Sequence, residues 1–148
     1  MGRITPPIAG DVYVDTNALI YRVERIEPYL SAAMPLWDAL DAGLLRCVTS
    51  QLTLLETLVK PLRDGNLALA SLYRQVLQGT SGLSCLPIHH AVIESAARLR
   101  ADHRLRTPDA IHAATALESS CVLFVTNDPD FRRVAGLNVA VLGEIAAS

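Results

Sequence analysis

The sequence predicts an α/β fold in three layers, with a central, mainly parallel sheet of four to five strands and helices on both faces. Three observations predict it. Short apolar, β-prone runs alternate with stretches of helical spacing along the whole chain, the pattern of βα units. No two runs are joined by a two-residue turn, so the connections are crossovers, not hairpins. Two of the runs, ending at Val14 and Val125, stop abruptly in polar residues, Asp15-Thr16-Asn17 and Thr126-Asn127-Asp128. Ligands of open α/β sheets collect at the carboxyl ends of strands.

Taken in order, residues 11–14 form the first predicted strand. Residues 16–25 follow as a helix that Asp15 or Thr16 can cap and that Glu27-Pro28 breaks. Residues 31–42 read as a helix with Leu36, Trp37 and Leu40 on its apolar stripe and Gly43 as its C-cap. A strand over 45–49 leads to Ser50, which caps a helix over 51–60, stopped by Pro61. Leu52, Leu55 and Val59 lie at helical spacing there, and Glu56 borders them. After the turn Asp64-Gly65-Asn66 comes a helix over 67–77, ended by Gly79, and then a strand over 84–88. A helix over 91–102 presents Val92, Ala96 and Leu99 on one face, and an Arg-rich link over 103–106 follows it. Thr107-Pro108-Asp109 opens the next helix, to residue 118, with Thr at the N-cap, Pro at N1 and an acid in the first turn. The remaining elements are a strand over 121–125, a helical turn over 129–134 and a strand over 139–142.

Composition narrows the class. The 148 residues, 51% apolar and 19% charged, suit one globular domain, residues 1–148. No apolar run approaches the roughly 20 residues that span a bilayer, and the first ten residues do not resemble a signal peptide. A cytoplasmic protein without membrane contact is the expectation. Cys47, Cys85 and Cys121 are odd in number and far apart, which suits reduced cysteines rather than a disulfide framework or a zinc site. The net charge of −2 excludes a global basic field, yet of the 13 basic residues all but Lys60 are Arg. Arg98, Arg100, Arg104 and Arg106 cluster, and Arg104 and Arg106, nearest Asp109, are candidates for phosphate contact.

The acids carry the chemistry. In a parallel sheet, strand ends and helix starts share one edge, so Asp15, Glu56, Asp109 and Asp128, from four separate βα segments, can converge. Each alone has a plainer reading: Asp15 as a cap, Asp109 as a dipole partner, Asp128-Pro129-Asp130 as a turn. Glu56 is the hardest to dismiss, because surface helices rarely set an acid among Leu and Val. As a set, oxygen-only donors suit Mg²⁺ or Mn²⁺. Such an ion relieves the mutual repulsion of the acids, activates water and stabilises charge on a phosphoryl oxygen. Thr16, Asn17, Thr126 and Asn127 can orient ligands or bind a phosphate. His112, one turn after Asp109, reads as a packed, hydrogen-bonded histidine. Tyr13 reads as core or partner-facing.

These residues resemble a known family. Val14-Asp15-Thr16-Asn17, the helical Glu56, Thr107-Pro108-Asp109-Ala110-Ile111-His112-Ala113-Ala114 and Thr126-Asn127-Asp128-Pro129-Asp130-Phe131 look like the PIN-domain ribonucleases, in particular the VapC-type toxins of toxin–antitoxin pairs. The resemblance spans nearly the whole chain, and no part of the core pattern is missing. It implies a metal-dependent endoribonuclease of α/β/α fold. Asp15, Glu56, Asp109 and Asp128 would form its acidic quartet, with Asp15, Asp109 and Asp128 on the metal and Glu56 as ligand or water-orienting base. Thr126 would support the site, with Asn17 and Asp130 in or near the pocket. The resemblance further implies an RNA substrate, a homodimer and a small antitoxin laid over the acidic groove. Two rival expectations stand beside it: a non-catalytic RNA- or protein-binding module, and a phosphohydrolase acting on other phosphate esters or DNA flaps. The Asp-x-Asp-x-Thr pattern of phosphoenzyme phosphatases is absent here.

Overall fold

A computed structural model describes residues 1–148. Five strands form one parallel sheet in the order β3-β2-β1-β4-β5: β1 (Asp11–Val14), β2 (Arg46–Ser50), β3 (Leu83–Leu86), β4 (Leu123–Thr126) and β5 (Val139–Val141). Seven helices surround it: α1 (Thr16–Val23), α2 (Tyr29–Asp41), α3 (Gln51–Arg63), α4 (Leu67–Gly79), α5 (His90–His103), α6 (Thr107–Glu118) and α7 (Leu142–Ala147). The predicted α/β/α sandwich is therefore the observed one. The chain leaves β1 toward β2 and β3, then returns to place β4 on the other side of β1. The switch point of the sheet thus lies between β1 and β4, the two strands that end in acids.

Strand alternation divides the core. Val12 and Val14 point to one face, where they pack with Leu19, Leu36, Trp37, Leu77 and Leu142. Tyr13 points to the other and packs with Val48, Phe124, Phe131 and the small face of α6, Ala110, Ala113 and Ala114. Short Ala side chains let α6 approach the sheet closely, which brings Asp109 and His112 over the end of β1.

Several boundaries differ from the sequence reading for identifiable reasons. Pro61 does not stop α3, which runs to Arg63 with the proline buried in its last turn. There it removes a single donor, and Asp64 and Asn66 N–H still close the end on the Lys60 and Pro61 carbonyls. Thr107 is not the N-cap of α6; Arg106 holds that position, without a side-chain cap bond, and Pro108 follows one place later than predicted. The strand predicted over 121–125 pairs only from Leu123, and Cys121 lies before it, half-buried. The last apolar run ends as β5 at Val141, and Leu142 opens α7, for which the sequence carries no N-cap residue.

The largest departure is α3. Its Leu stripe is not its buried face: Leu55, Val59 and Leu62 are exposed, while Thr53, Thr57 and Pro61 are buried. Burial of threonine is tolerable because its hydroxyl finds a partner. Thr57 Oγ1 donates to Thr53 O at 2.8 Å, and Thr53 Oγ1 lies 2.8 Å from Thr49 Oγ1. The helix is thereby rotated so that Glu56 faces the carboxyl edge of the sheet.

Candidate active site

Asp15 follows β1 in extended conformation and caps α1: Thr16 N–H donates to Oδ1 at 2.8 Å. Its own N–H donates to Val125 O at 2.9 Å, which fixes the end of β1 against β4. Thr126, fully buried at the end of β4, donates its hydroxyl to Asp15 Oδ2 at 2.7 Å and accepts Asp128 N–H at 3.0 Å. One threonine therefore links both strand-end acids. Asp128 in turn caps the 3₁₀ turn Pro129–Arg133, accepting Asp130 N–H on Oδ1 at 2.9 Å.

Asp15, Glu56, Asp109 and Asp128 line one cavity of about 280 Å³, together with Thr16, Asn17, Arg106 and His112. The four predicted acids are thus brought to one place by four different segments. Arg106 stands on the rim, its Nε 3.2 Å from Asp109 Oδ2. Of the other predicted residues, Asn127, Asp130 and Arg104 do not line it. Asn127 points away from the cavity, donating to Tyr21 Oη at 2.9 Å and accepting Gly143 N–H at 2.8 Å. Asp130 is exposed, with Arg133 3.7 Å from its carboxylate. Arg104 closes α5 in left-handed conformation (φ 55°), outside the cavity lining.

Beneath the cavity lies a buried polar chain. Glu56 Oε1 accepts the Thr16 hydroxyl at 2.7 Å and lies 2.7 Å from His112 Nε2. His112 Nε2 is also 3.6 Å from Asp15 Oδ1, and its Nδ1 is 2.7 Å from Tyr13 Oη. The ends fix the direction of the threonine bonds. Thr49 donates to Val14 O at 2.8 Å, so Thr53 donates to Thr49; the Thr16 hydroxyl, 3.2 Å from Thr53 Oγ1 and 2.7 Å from Glu56 Oε1, gives its proton to the nearer and charged oxygen of Glu56. From the sequence, Tyr13 is a core or partner-facing residue with no chemical role. Its one signal was strand alternation, which sends Tyr13 to the face opposite Val12 and Val14 and so toward the helix that carries His112.

Electrostatics follow from this burial. Removal from water pushes the Asp15 carboxyl up from its ordinary value, against the lowering effects of His112, Thr126 and Thr16 N–H. Burial also acts to raise Glu56, but the hydrogen bonds from His112 and Thr16 and the charge of His112 outweigh it and hold Glu56 below the usual range. Burial alone would lower His112, but Glu56 and Asp15 draw it up. Tyr13 is pushed well above its ordinary value, chiefly by burial, so its hydroxyl keeps its proton.

The donor set is chemically suited to a hard cation. It offers carboxylate oxygens, one of them desolvated, and Glu56 Oε2, Asp109 Oδ1 and Asp128 Oδ2 have no protein donor. The acids stand around an open cleft; no three acid, His or Cys side chains are gathered closely enough to form a ready coordination sphere.

Known proteins share this architecture. A toxin–antitoxin complex from Klebsiella pneumoniae contains a chain 24% identical to this one, with a TM-score of 0.64, the match covering 88% of this chain and 97% of that one. VapBC2 from Rickettsia felis, bound to a promoter DNA fragment, gives 15% identity and a TM-score of 0.69 over 88% and 98%. DNA-bound VapBC from Salmonella typhimurium gives 19% and 0.66 over 90% and 99%. At these identities the likeness is one of fold. No curated protein sequence matches the chain. The family model described as PIN domain matches residues 12–137, a span that contains both strand-end acids, Glu56, Asp109 and the whole switch point of the sheet. By that match, the chain belongs to the PIN domain family.

Proposed function

We propose that this protein is a metal-dependent endoribonuclease that hydrolyses RNA phosphodiester bonds, the toxin of a VapC-type toxin–antitoxin pair. The convergence of Asp15, Glu56, Asp109 and Asp128 on one cavity carries the reading. Family membership supports a nuclease, and the architecture shared with chains of toxin–antitoxin complexes supports a toxin.

In this reading Asp15, Asp109 and Asp128 hold Mg²⁺ or Mn²⁺, directly or through water. The bound ion supplies positive charge to the phosphoryl oxygens and lowers the pKa of a water nucleophile. The chain's own groups do the rest. Asp15 is fixed by Thr126 and Thr16 N–H, so it does not reorganise when substrate binds. Glu56 presents Oε2 to the cleft as ligand or water-orienting base. Arg106, largely exposed at the rim, meets a substrate phosphate that the acids would otherwise repel. A small antitoxin covers the groove, and a homodimer buries exposed leucines of α3 and α4, among them Leu55, Leu62 and Leu67. No helix is long and apolar enough to cross a membrane, and the site of action in this reading is the cytoplasm, where RNA is.

Antitoxin-free protein offered RNA, single-stranded DNA, flap DNA and a chromogenic phosphate ester is expected to cut RNA alone, with Mg²⁺ or Mn²⁺ and not with EDTA. RNA binding that ignores chelation and never turns over would instead favour a binding module. Arg106→Ala is expected to raise KM for RNA several-fold and to reduce the salt dependence of binding by about one unit of log–log slope, leaving kcat nearly unchanged. A large fall in kcat with unchanged KM would contradict the rim role.

A further inference from the structure

We propose that His112, held by Tyr13, is a positioning residue that presets Glu56: its Nε2–H and the Thr16 hydroxyl converge on Oε1 and leave Oε2 free of protein partners. The inference rests on the nuclease reading and adds a role for two groups it does not use.

His112 is 2% exposed, and both ring nitrogens are engaged. The Tyr13 hydroxyl is buried and keeps its proton, so it donates to Nδ1 of the neutral ring. That selects the tautomer with the proton on Nε2, the one Glu56 requires. When the ring is protonated, Nδ1–H donates to Tyr13 Oη, and Nε2–H still faces Glu56. The arrangement therefore holds in either protonation state. Tyr13 cannot swing away: its ring stacks on Phe124 at 5.0 Å and 6°, and stands edge-on to His112 at 5.9 Å.

The arrangement has a physical purpose. Glu56 sits on a helix whose neighbouring leucines are exposed, and an unrestrained glutamate there would sample many rotamers. Two donors on a single oxygen remove that freedom and fix which oxygen stays free. Burying a phenol and an imidazole beside the alanines of α6 is costly unless every polar atom is satisfied, and here each one is. Packing alone would be served as well by an apolar pair.

The test compares wild type with His112→Leu, His112→Gln and Tyr13→Phe. It reads Mn²⁺ affinity by electron paramagnetic resonance titration without RNA, and kcat and KM separately with RNA. Loss of the Nε2–H in His112→Leu is expected to weaken Mn²⁺ binding and lower kcat, each on the order of tenfold or more, with KM within about twofold. His112→Gln returns an N–H donor and is expected to recover most of both. Tyr13→Phe frees the tautomer, falls between, and serves if His112→Leu does not fold. Variants that melt at lower temperature yet bind Mn²⁺ and turn over RNA as wild type does would overturn the role. Failure of wild type itself to bind Mn²⁺ would overturn the nuclease reading, and the inference with it.

Discussion

Asp15→Asn is expected to abolish RNA cleavage while leaving the fold intact. In the proposed nuclease the site depends on one desolvated carboxylate at the sheet's switch point, and loss of its charge would remove several kcal/mol of stabilisation, roughly 10²–10³-fold in rate. The asparagine preserves the local bonding. Its Oδ1 still accepts Thr16 N–H, and its amide donates to Thr126 Oγ1, reversing the present bond. Burial without a cation makes the Asp15 charge unfavourable in the folded state. A carboxyl raised above its ordinary 3.8 contributes stability that is fully present below that value and is lost as pH rises through the folded pKa. In EDTA the variant should therefore melt at or above the wild-type temperature at pH 7, and its advantage should vanish below about pH 4. Thermal melts followed by circular dichroism check the second expectation and a cleavage assay the first. A variant that cuts RNA with Mg²⁺ at near wild-type rate contradicts the assignment.

Phe124→Ala is expected to produce the largest loss of stability. Phe124 is 1% exposed on β4, stacked on Tyr13 at 5.0 Å and tilted against Phe131 at 4.6 Å. Its ring joins the central sheet to the face that carries α6. Truncating a buried phenylalanine costs about 3–5 kcal/mol, which lowers Tm by roughly 10 °C in a domain of this size. Because the same ring supports Tyr13, surviving activity should fall at temperatures where the variant is still folded. Phe124→Leu, which fills most of the space, should lose much less of both. A loss under about 1 kcal/mol in Phe124→Ala would mean that this layer collapses around the gap.

The order of elements and the convergence of the acids were legible in the sequence, because both follow from strand alternation and from where apolar runs stop. Asp15 and Asp128 were visible for that reason: each ends an apolar run abruptly. Glu56 was visible for a reason that the structure corrects. It stood out against the Leu52, Leu55 and Val59 stripe, yet much of that stripe is exposed and Glu56 belongs with the threonine face. Helical periodicity reports where apolar side chains lie. It does not report which face is buried when the competing face is made of threonines whose hydroxyls bond locally. The Tyr13–His112–Glu56 chain was hidden for a different reason. Its members are 99 and 56 positions apart, and a buried histidine looks the same in sequence whether it packs or holds a carboxylate. Asn127 shows the converse: beside Asp128 it reads as a site residue, but one residue past the end of β4 its amide turns toward α1 and α7.

In the proposed nuclease Asp15, Asp109 and Asp128 hold a divalent cation, with Glu56 beside it as ligand or water-orienting base. The most direct measurement is anomalous diffraction at the manganese edge from crystals of the protein grown with Mn²⁺. The expected result is a peak in the cleft within reach of Asp15, Asp109 and Asp128, absent from Asp15→Asn crystals prepared alike. An empty cleft at saturating Mn²⁺, in protein that still cleaves RNA, would contradict the assignment of these acids to the metal.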